Sequence, residues 1–364
     1  MTKTLAPAEA FPPGEYLRDE LEERGWTVTE FAEIIGRPVQ AVSEILNGKK
    51  EITTESALAI GEALGTTPEL WLNLQTACRL FEQRAKPELG DSLGPVARRA
   101  RLRNLLPLSK ARSRGWLPKT DDLDVVEAAV AELLELDSLD GTPAFAHAAR
   151  RANRDEPITV EQTAWLAHVR HVATSARVDP YDPSKLAALA TDVPRMLQAG
   201  PDELHRLPHE FAKCGVALVF SEGLPGGKLD GAVTFLRDGR PVIGLTARGD
   251  RFDGLIFTLL HECAHLALAH VTPEGPVIVD DDVTEAQTEP REIEANDQAS
   301  EWLFPGGFEV ESARAQAIME AALRYKVHPC VVIGRVQRDA DDWRLHRTKI
   351  PKVRPSLSEA GLLS

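Results

Sequence analysis

The chain has 364 residues, 43 % of them apolar, and a net charge of −14, which allows about two or three domains, each with its own core. That acidity excludes indiscriminate nucleic-acid binding by the whole molecule, because a basic footprint is needed to displace counterions; any DNA contact must be local. No run of about 18 apolar residues occurs, and Met1 to Pro7 lacks the charged start and apolar core of a secretory signal, so the expectation is a cytoplasmic protein without membrane contact. Cys78, Cys214, Cys263 and Cys330 show no CxxC spacing, which points to reduced, buried thiols rather than disulfides or a cysteine zinc site.

In chain order, Glu15 to Arg24 carries Tyr16, Leu17 and Leu21 at helical spacing and stops at Gly25. Thr27-Val28-Thr29-Glu30 offers a capping box that opens a short helix through Phe31, Ile34 and Ile35, ending at Gly36. Pro38 to Asn47 reads as a second short helix. Its inward positions are Val42, Ile45 and Leu46; Gln40, Ala41, Ser43, Glu44 and Asn47 face outward, ahead of Gly48-Lys49-Lys50. Two short helices joined at a glycine make a helix-turn-helix. Thr54 to Leu64, closed by Gly65, and a helix starting at Pro68 complete an all-α domain over residues 11–86.

Three stretches carry a resemblance: Gly14-Glu15-Tyr16-Leu17, Gln40-Ala41-Val42-Ser43-Glu44-Ile45-Leu46-Asn47-Gly48-Lys49 and Leu64-Gly65-Thr66-Thr67-Pro68-Glu69-Leu70-Trp71-Leu72-Asn73-Leu74-Gln75. The segment resembles the XRE-type, Cro-like helix-turn-helix of HigA-type antitoxins. The resemblance implies that the second helix of the motif enters the major groove of operator DNA. Gln40, Ser43 and Asn47 then take base-edge or phosphate roles, and Lys49 and Lys50 phosphate roles. Glu44 departs from the pattern, standing where a basic residue is common, which implies low affinity or a homodimer that doubles the footprint. The other reading is a helical protein-interaction module without DNA contact.

Residues 86–95 have linker composition. From Arg98 to Lys119 there are eight cations and no acids; this run either extends a DNA footprint or forms a solvated face beside an acidic neighbour. Asp124 to Leu136 and Val160 to Arg177 show helical periodicity, and His168 and His171 on the latter have no carboxylate partner and read as structural or surface residues. Residues 96–200 are thus expected to be an all-helical connecting domain.

The character then changes. Gly215 to Phe220, Ala232 to Leu236 and Pro241 to Leu245 are apolar, β-rich runs, the last two flanking the turn sequence Arg237-Asp238-Gly239-Arg240. They predict three strands of a small sheet. Next comes a helix, apolar nearly all round, that contains His261-Glu262-Cys263-Ala264-His265. Histidines four residues apart stack one turn apart and suit Zn2+, with Glu262 placed to take a proton from water; this is the HExxH pattern of zinc peptidases. Two satisfied core histidines and an ion-paired glutamate are the alternative. Between Glu289-Pro290 and Phe304-Pro305 a further helix puts Glu292, Ala295, Asn296, Ala299, Trp302 and Leu303 on one inward stripe, and Glu294, Asp297, Gln298 and Glu301 outward. Glu292 is the one acid pointing inward, so it is the candidate third metal ligand. Tyr325 and His328 interrupt an apolar C-terminal segment and are candidates for stabilising an oxyanion. His270, about 180° from His261 when the helix is continued, reads as structural.

Leu229-Asp230-Gly231, Pro241-Val242-Ile243, the HExxH helix, Glu292-Ile293-Glu294-Ala295-Asn296 and Leu303-Phe304-Pro305 together resemble the ImmA/IrrE family of metallo-endopeptidases over residues 205–340. That resemblance implies a zinc peptidase that cleaves a helix-turn-helix repressor and so releases stress or mobile-element genes. It also sets the third ligand three residues before Ala295, at Glu292, with Asn296 one turn on supporting it. The expectation is a multidomain, mainly α protein: a five-helix N-terminal domain, a helical connecting domain and an α+β zincin-like domain. Its function would be that of a DNA-binding regulatory zinc endopeptidase acting on a repressor or antitoxin partner; alternatively it is a HigA-like antitoxin or repressor whose peptidase-like domain senses but does not cut.

Overall fold

The computed structural model describes residues 11–145, 150–151, 158–273, 278–280 and 289–363. Contacts divide the chain into two compact units, Met1–Arg98 and Arg99–Ser364. Among the described residues no helix is long and apolar enough to cross a membrane.

The first unit is helical: α1 Pro13–Arg24, α2 Val28–Ile34, α3 Val39–Leu46, α4 Thr54–Leu64 and α5 Pro68–Arg84. Local chemistry sets the ends. Thr27 accepts from the Glu30 backbone N–H while Glu30 reaches back to the Thr27 N–H, the expected capping box. Gly25 and Gly65 close α1 and α4 in the left-handed conformation. Leu17, Phe31, Val42, Ile60 and Trp71 are buried together, and the Trp71 indole donates to the Thr66 hydroxyl at 2.7 Å. Residues 86–95, expected as a linker, instead enter a helix, α6 (Pro87–Leu105), with Pro95 inside it. Proline fits the first helical position, and the low helix propensity of its glycines does not prevail.

In the second unit α7 (Leu108–Ser113), α8 (Leu123–Leu133), α9 (Val160–Thr174), α10 (Pro183–Met196) and α11 (Leu207–Lys213) precede the core strands. Among the described residues the sheet has five strands: β1 Arg150–Arg151, β2 Ala217–Phe220, β3 Gly231–Phe235, β4 Pro241–Leu245 and β5 Ile278–Asp280. Their order is β1-β5-β3-β4-β2. The three expected strands form its centre and one edge: β3 runs antiparallel to β4 with Val233 opposite Ile243, and β2 runs parallel to β4. Two short strands extend it, β5 antiparallel to β3 and β1 parallel to β5.

Alternation along β2 explains the layering. Leu218 and Phe220 join one core, with Val233, Ile243 and Leu245; Ala217 and Val219 join another, with Ala232 and Val242. Both faces are therefore covered, which is why these strands read as continuous apolar runs. The second cover is α9: Trp165 donates to the Ser221 carbonyl at 3.1 Å, and a Cβ on Gly244 would come within 2.8 Å of Trp165 and Val169. Residues 99–200 thus lie in the same compact unit as the sheet, whose second face their apolar side covers. On the opposite face lies α12 (Phe252–Ala267), packed against α10, β3, β4, α13 (Pro290–Leu303) and α15 (Pro329–Asp339). The helix α14 (Ala315–Tyr325) and a closing segment with α16 (Arg354–Glu359) complete the unit; Leu357 is in the core, so the fold extends past residue 340.

Candidate metal centre and nucleic-acid interface

The α12 helix buries His261, Glu262 and His265 completely, and α13 brings in Glu292, 1 % exposed. The two imidazole Nε2 atoms are 2.9 Å apart, and the Glu292 carboxylate oxygens stand 3.2 Å from His261 Nε2 and 3.5 Å from His265 Nε2. Burial alone would raise the Glu292 carboxyl; positive charge shared with the two imidazoles, a proton or a cation, outweighs that and holds it well below the usual carboxylate range. Among the described residues His261, His265 and Glu292 form a group whose ligand atoms lie within 4.8 Å of one another.

A histidine that sequence reasoning set aside fixes the proton positions. His265 Nδ1 lies 3.1 Å from His270 Nδ1, and His270 Nε2 lies 3.1 Å from the Glu294 carboxylate. A carboxylate accepts, so His270 Nε2 carries the proton and His270 Nδ1 is an acceptor. His265 Nδ1–H therefore donates to it, leaving a lone pair on His265 Nε2 aimed at the cluster. A lone pair, a second imidazole nitrogen and an ionised carboxylate converging in a dry pocket repel one another unless a cation sits among them, so this donor set fits a divalent metal of the zinc type. The contact of His270 with His265 was not visible in the sequence because continuing the helix wheel past Ala267 is invalid. Ala269 adopts φ 55°, and the chain folds back so that the His270 N–H bonds the His265 carbonyl at 2.9 Å. Asn296, half-buried one turn after Glu292, has a buried Oδ1 with no hydrogen-bond partner among the described residues.

Glu262 faces the start of β3. A Cβ on Gly231 would lie 2.2 Å from Glu262 Oε1 and 2.9 Å from Thr258 Cγ2, so this position requires glycine for space. The contacts of Tyr325 and His328 are of another kind. The Tyr325 hydroxyl accepts from the Glu309 N–H and donates to the Gly307 carbonyl, and its ring packs on Phe304 and Phe308. His328 caps α15 by accepting from the Cys330 N–H at 3.1 Å, with its ring edge against Phe252. The oxyanion role expected of these two finds no support in those contacts: one fixes a loop, the other a helix end.

In the first unit α3 leaves Gln40 and Asn47 exposed and Ser43 half-buried, with Lys49 and Lys50 exposed just beyond. Gln40 donates to Glu44 at 3.2 Å, and the Asn47 amide donates to the Ser43 carbonyl at 2.8 Å, so both amides are held along the helix surface. Arg37 pairs with Glu55 at 2.8 Å, whereas Lys49 and Lys50 have no ion-pair partner among the described residues. The basic run behaves differently: Lys110 pairs with Glu161, Arg101 with Asp140 and Arg114 with Glu222. Three of its eight cations are thus committed to acids of the second unit.

The family model described as helix-turn-helix matches residues 17–71. The HTH-type transcriptional regulator YddM of Escherichia coli is 34 % identical over 70 residues, which are 19 % of this chain and 74 % of that protein. Antitoxin HigA-1 of Vibrio cholerae is 42 % identical over 72 residues, 20 % of this chain and 68 % of that one. Among solved structures, an addiction module antidote protein of the HigA family from Coxiella burnetii shares 38 % identity, covering 20 % of this chain and 79 % of that one, with a TM-score of 0.19. Through its N-terminal domain, the chain belongs to the helix-turn-helix family of transcriptional regulators and HigA-type antitoxins.

Proposed function

We propose that the protein is a DNA-binding regulatory zinc endopeptidase whose helix-turn-helix domain engages operator DNA and whose second unit cleaves a repressor or antitoxin partner. The observation that carries the peptidase reading is the convergence of His261, His265 and Glu292 in one dry cluster on two helices, with Glu262 on the same helix as the histidines. DNA binding rests on the family and on the exposed Gln40, Asn47, Lys49 and Lys50 of one face.

His261, His265 and Glu292 would hold Zn2+, which when bound would supply Lewis acidity toward a peptide carbonyl and water. The remaining chemistry belongs to the chain. Glu262 accepts a proton from the attacking water at a carboxylate oxygen and delivers it to the leaving amide nitrogen, so one water is consumed and one carboxyl and one amine appear. His270 and Glu294 hold the His265 ring in its tautomer. The apolar walls of α12, Leu259 and Leu260 among them, keep bulk water out and strengthen every charge inside.

A second reading has its own support: the relatives at 34 % and 42 % identity consist for 74 % and 68 % of their length of the matched domain, and one is named as an antitoxin. The chain would then be a HigA-like repressor whose second unit binds a partner without cutting it. Zinc analysis with incubation of wild type and Glu262→Gln against candidate repressors separates the two. The peptidase reading expects one zinc in both proteins and cleavage by wild type alone, because the amide keeps the shape but cannot take the proton. Cleavage undiminished in the variant removes the mechanism; no cleavage by either leaves the repressor reading.

A further inference from the structure

Beside the metal cluster, a cavity of about 320 Å3 opens between α12, α13 and α15. Its apolar walls include Phe257, Leu303, Phe304 and Val331. Four arginines and two aspartates also line it, an excess of positive charge in a chain of net charge −14. Each aspartate is already engaged: Asp253 takes two hydrogen bonds from Arg251, the shorter 2.6 Å, and Asp230 faces Arg248 at 3.3 Å. Arg335 pairs with Asp339, outside the lining, at 2.9 Å. Arg338 has no carboxylate partner among the described residues; its guanidinium lies over the Phe257 ring, 5.7 Å from the centroid. A cavity with apolar walls and, in its lining, an exposed arginine that pairs with no carboxylate among the described residues suits a ligand with a hydrophobic body and one negative end. The volume is at the small end for binding cavities, enough for about a dozen non-hydrogen atoms and too little for a folded segment of another protein.

We infer that this cavity binds a small organic acid, an aromatic or branched aliphatic body carrying a carboxylate that pairs with Arg338. The site does not depend on the metal, although it touches the cluster: Phe257 and Thr258 sit one turn before His261 and Glu262, and the Phe257 ring stacks on His261 at 6.4 Å. Occupancy is therefore read out next to the histidines. Trp343, 42 % exposed on the cavity rim, is a built-in reporter.

Titration calorimetry of the full chain with 4-phenylbutyrate and with the neutral 4-phenylbutanol tests the inference, paired with Trp343 fluorescence against a Trp343→Phe control. The acid is expected to bind at one site and to perturb the Trp343 signal, and the alcohol to bind about tenfold more weakly or worse, the value of one charge-assisted contact. Arg338→Glu should lose at least about tenfold, Arg338→Gln less, and Arg195→Glu, at an exposed position of α10, nothing. An unchanged melting temperature for Arg338→Glu shows that the loss is not misfolding. Equal affinity for acid and alcohol, wild-type affinity in Arg338→Glu, or no binding into the millimolar range overturns it. So does binding of an acetylated, amidated Phe-Glu peptide in place of the free acid, which would make the cavity a polypeptide site.

Discussion

A fully buried carboxylate must meet a proton or a cation, and Glu292 meets it in the positive charge it shares with the two imidazoles beside it. Glu292→Ala is therefore expected to lose most bound zinc, measured by metal analysis after dialysis, whereas Glu294→Ala, whose carboxylate is 66 % exposed, keeps most of it. The reverse pattern would mean that α13 presents its other face. His270→Phe keeps the ring volume but removes the acceptor for His265 Nδ1–H; a weakening of metal affinity by about 10–100-fold is expected, since the groups that orient a ligand imidazole are worth that much. Gly231 is a different kind of requirement. With an alanine there, a methyl 2.2 Å from Glu262 Oε1 must push the carboxylate aside, so Gly231→Ala should retain zinc yet lose most hydrolysis and about 1–3 kcal/mol of stability. Hydrolysis at the wild-type rate in that variant would show that Glu262 need not stand where it does.

At the scale of elements, what could be read in the sequence was whatever a local period or cap determines. The Thr27 capping box, the glycine-closed ends of α1 and α4, the strands β2, β3 and β4 and the α13 face bearing Glu292 all follow from spacing within one element. Hidden were features set by partners distant in sequence. The strands β1 and β5, two and three residues long, carry too little pattern to read, and α9 as the second cover of the sheet became visible only through Gly244 meeting Trp165. The contact of His270 with His265 was hidden because a left-handed residue just past a helix end redirects the chain, a signal no wheel contains. The α9 helix also carries a pH dependence. His168 stacks on Trp116 at 4.3 Å, and burial, with His171 pushing the same way, lowers it to about 4. The unfolded chain takes up that proton near pH 6.5 and the folded one only near 4, so stability is full above 6.5 and falls as pH drops between those values, by roughly 3 kcal/mol. His168→Phe keeps the stack and removes the proton; its urea midpoint should fall less than that of wild type between pH 7 and pH 4.5. Equal losses would assign the acid sensitivity to other groups.

For the molecule as a whole, charge decides how the helix-turn-helix can work. A net charge of −14 repels DNA at a distance, so attraction must come from cations standing free on the contacting face. Arg37 is committed to Glu55, while the basic run at 98–119 sends Arg101, Lys110 and Arg114 to acids of the second unit. Lys49 and Lys50 remain, exposed and unpaired among the described residues, at the end of α3. A footprint this sparse gives a modest salt slope per copy, with sequence discrimination left to Gln40, Ser43 and Asn47. Binding to a cognate operator, measured by anisotropy across potassium chloride concentrations, should weaken linearly on a log–log plot. Replacing Lys49 and Lys50 by alanine should flatten that slope by about two units for one copy, near one per lost phosphate contact, or about four if two copies bind together. Gln40→Ala should leave the slope unchanged and lower only the preference for operator over random duplex. A salt-independent association, or none with DNA upstream of the gene, would make the N-terminal domain a protein-binding module instead.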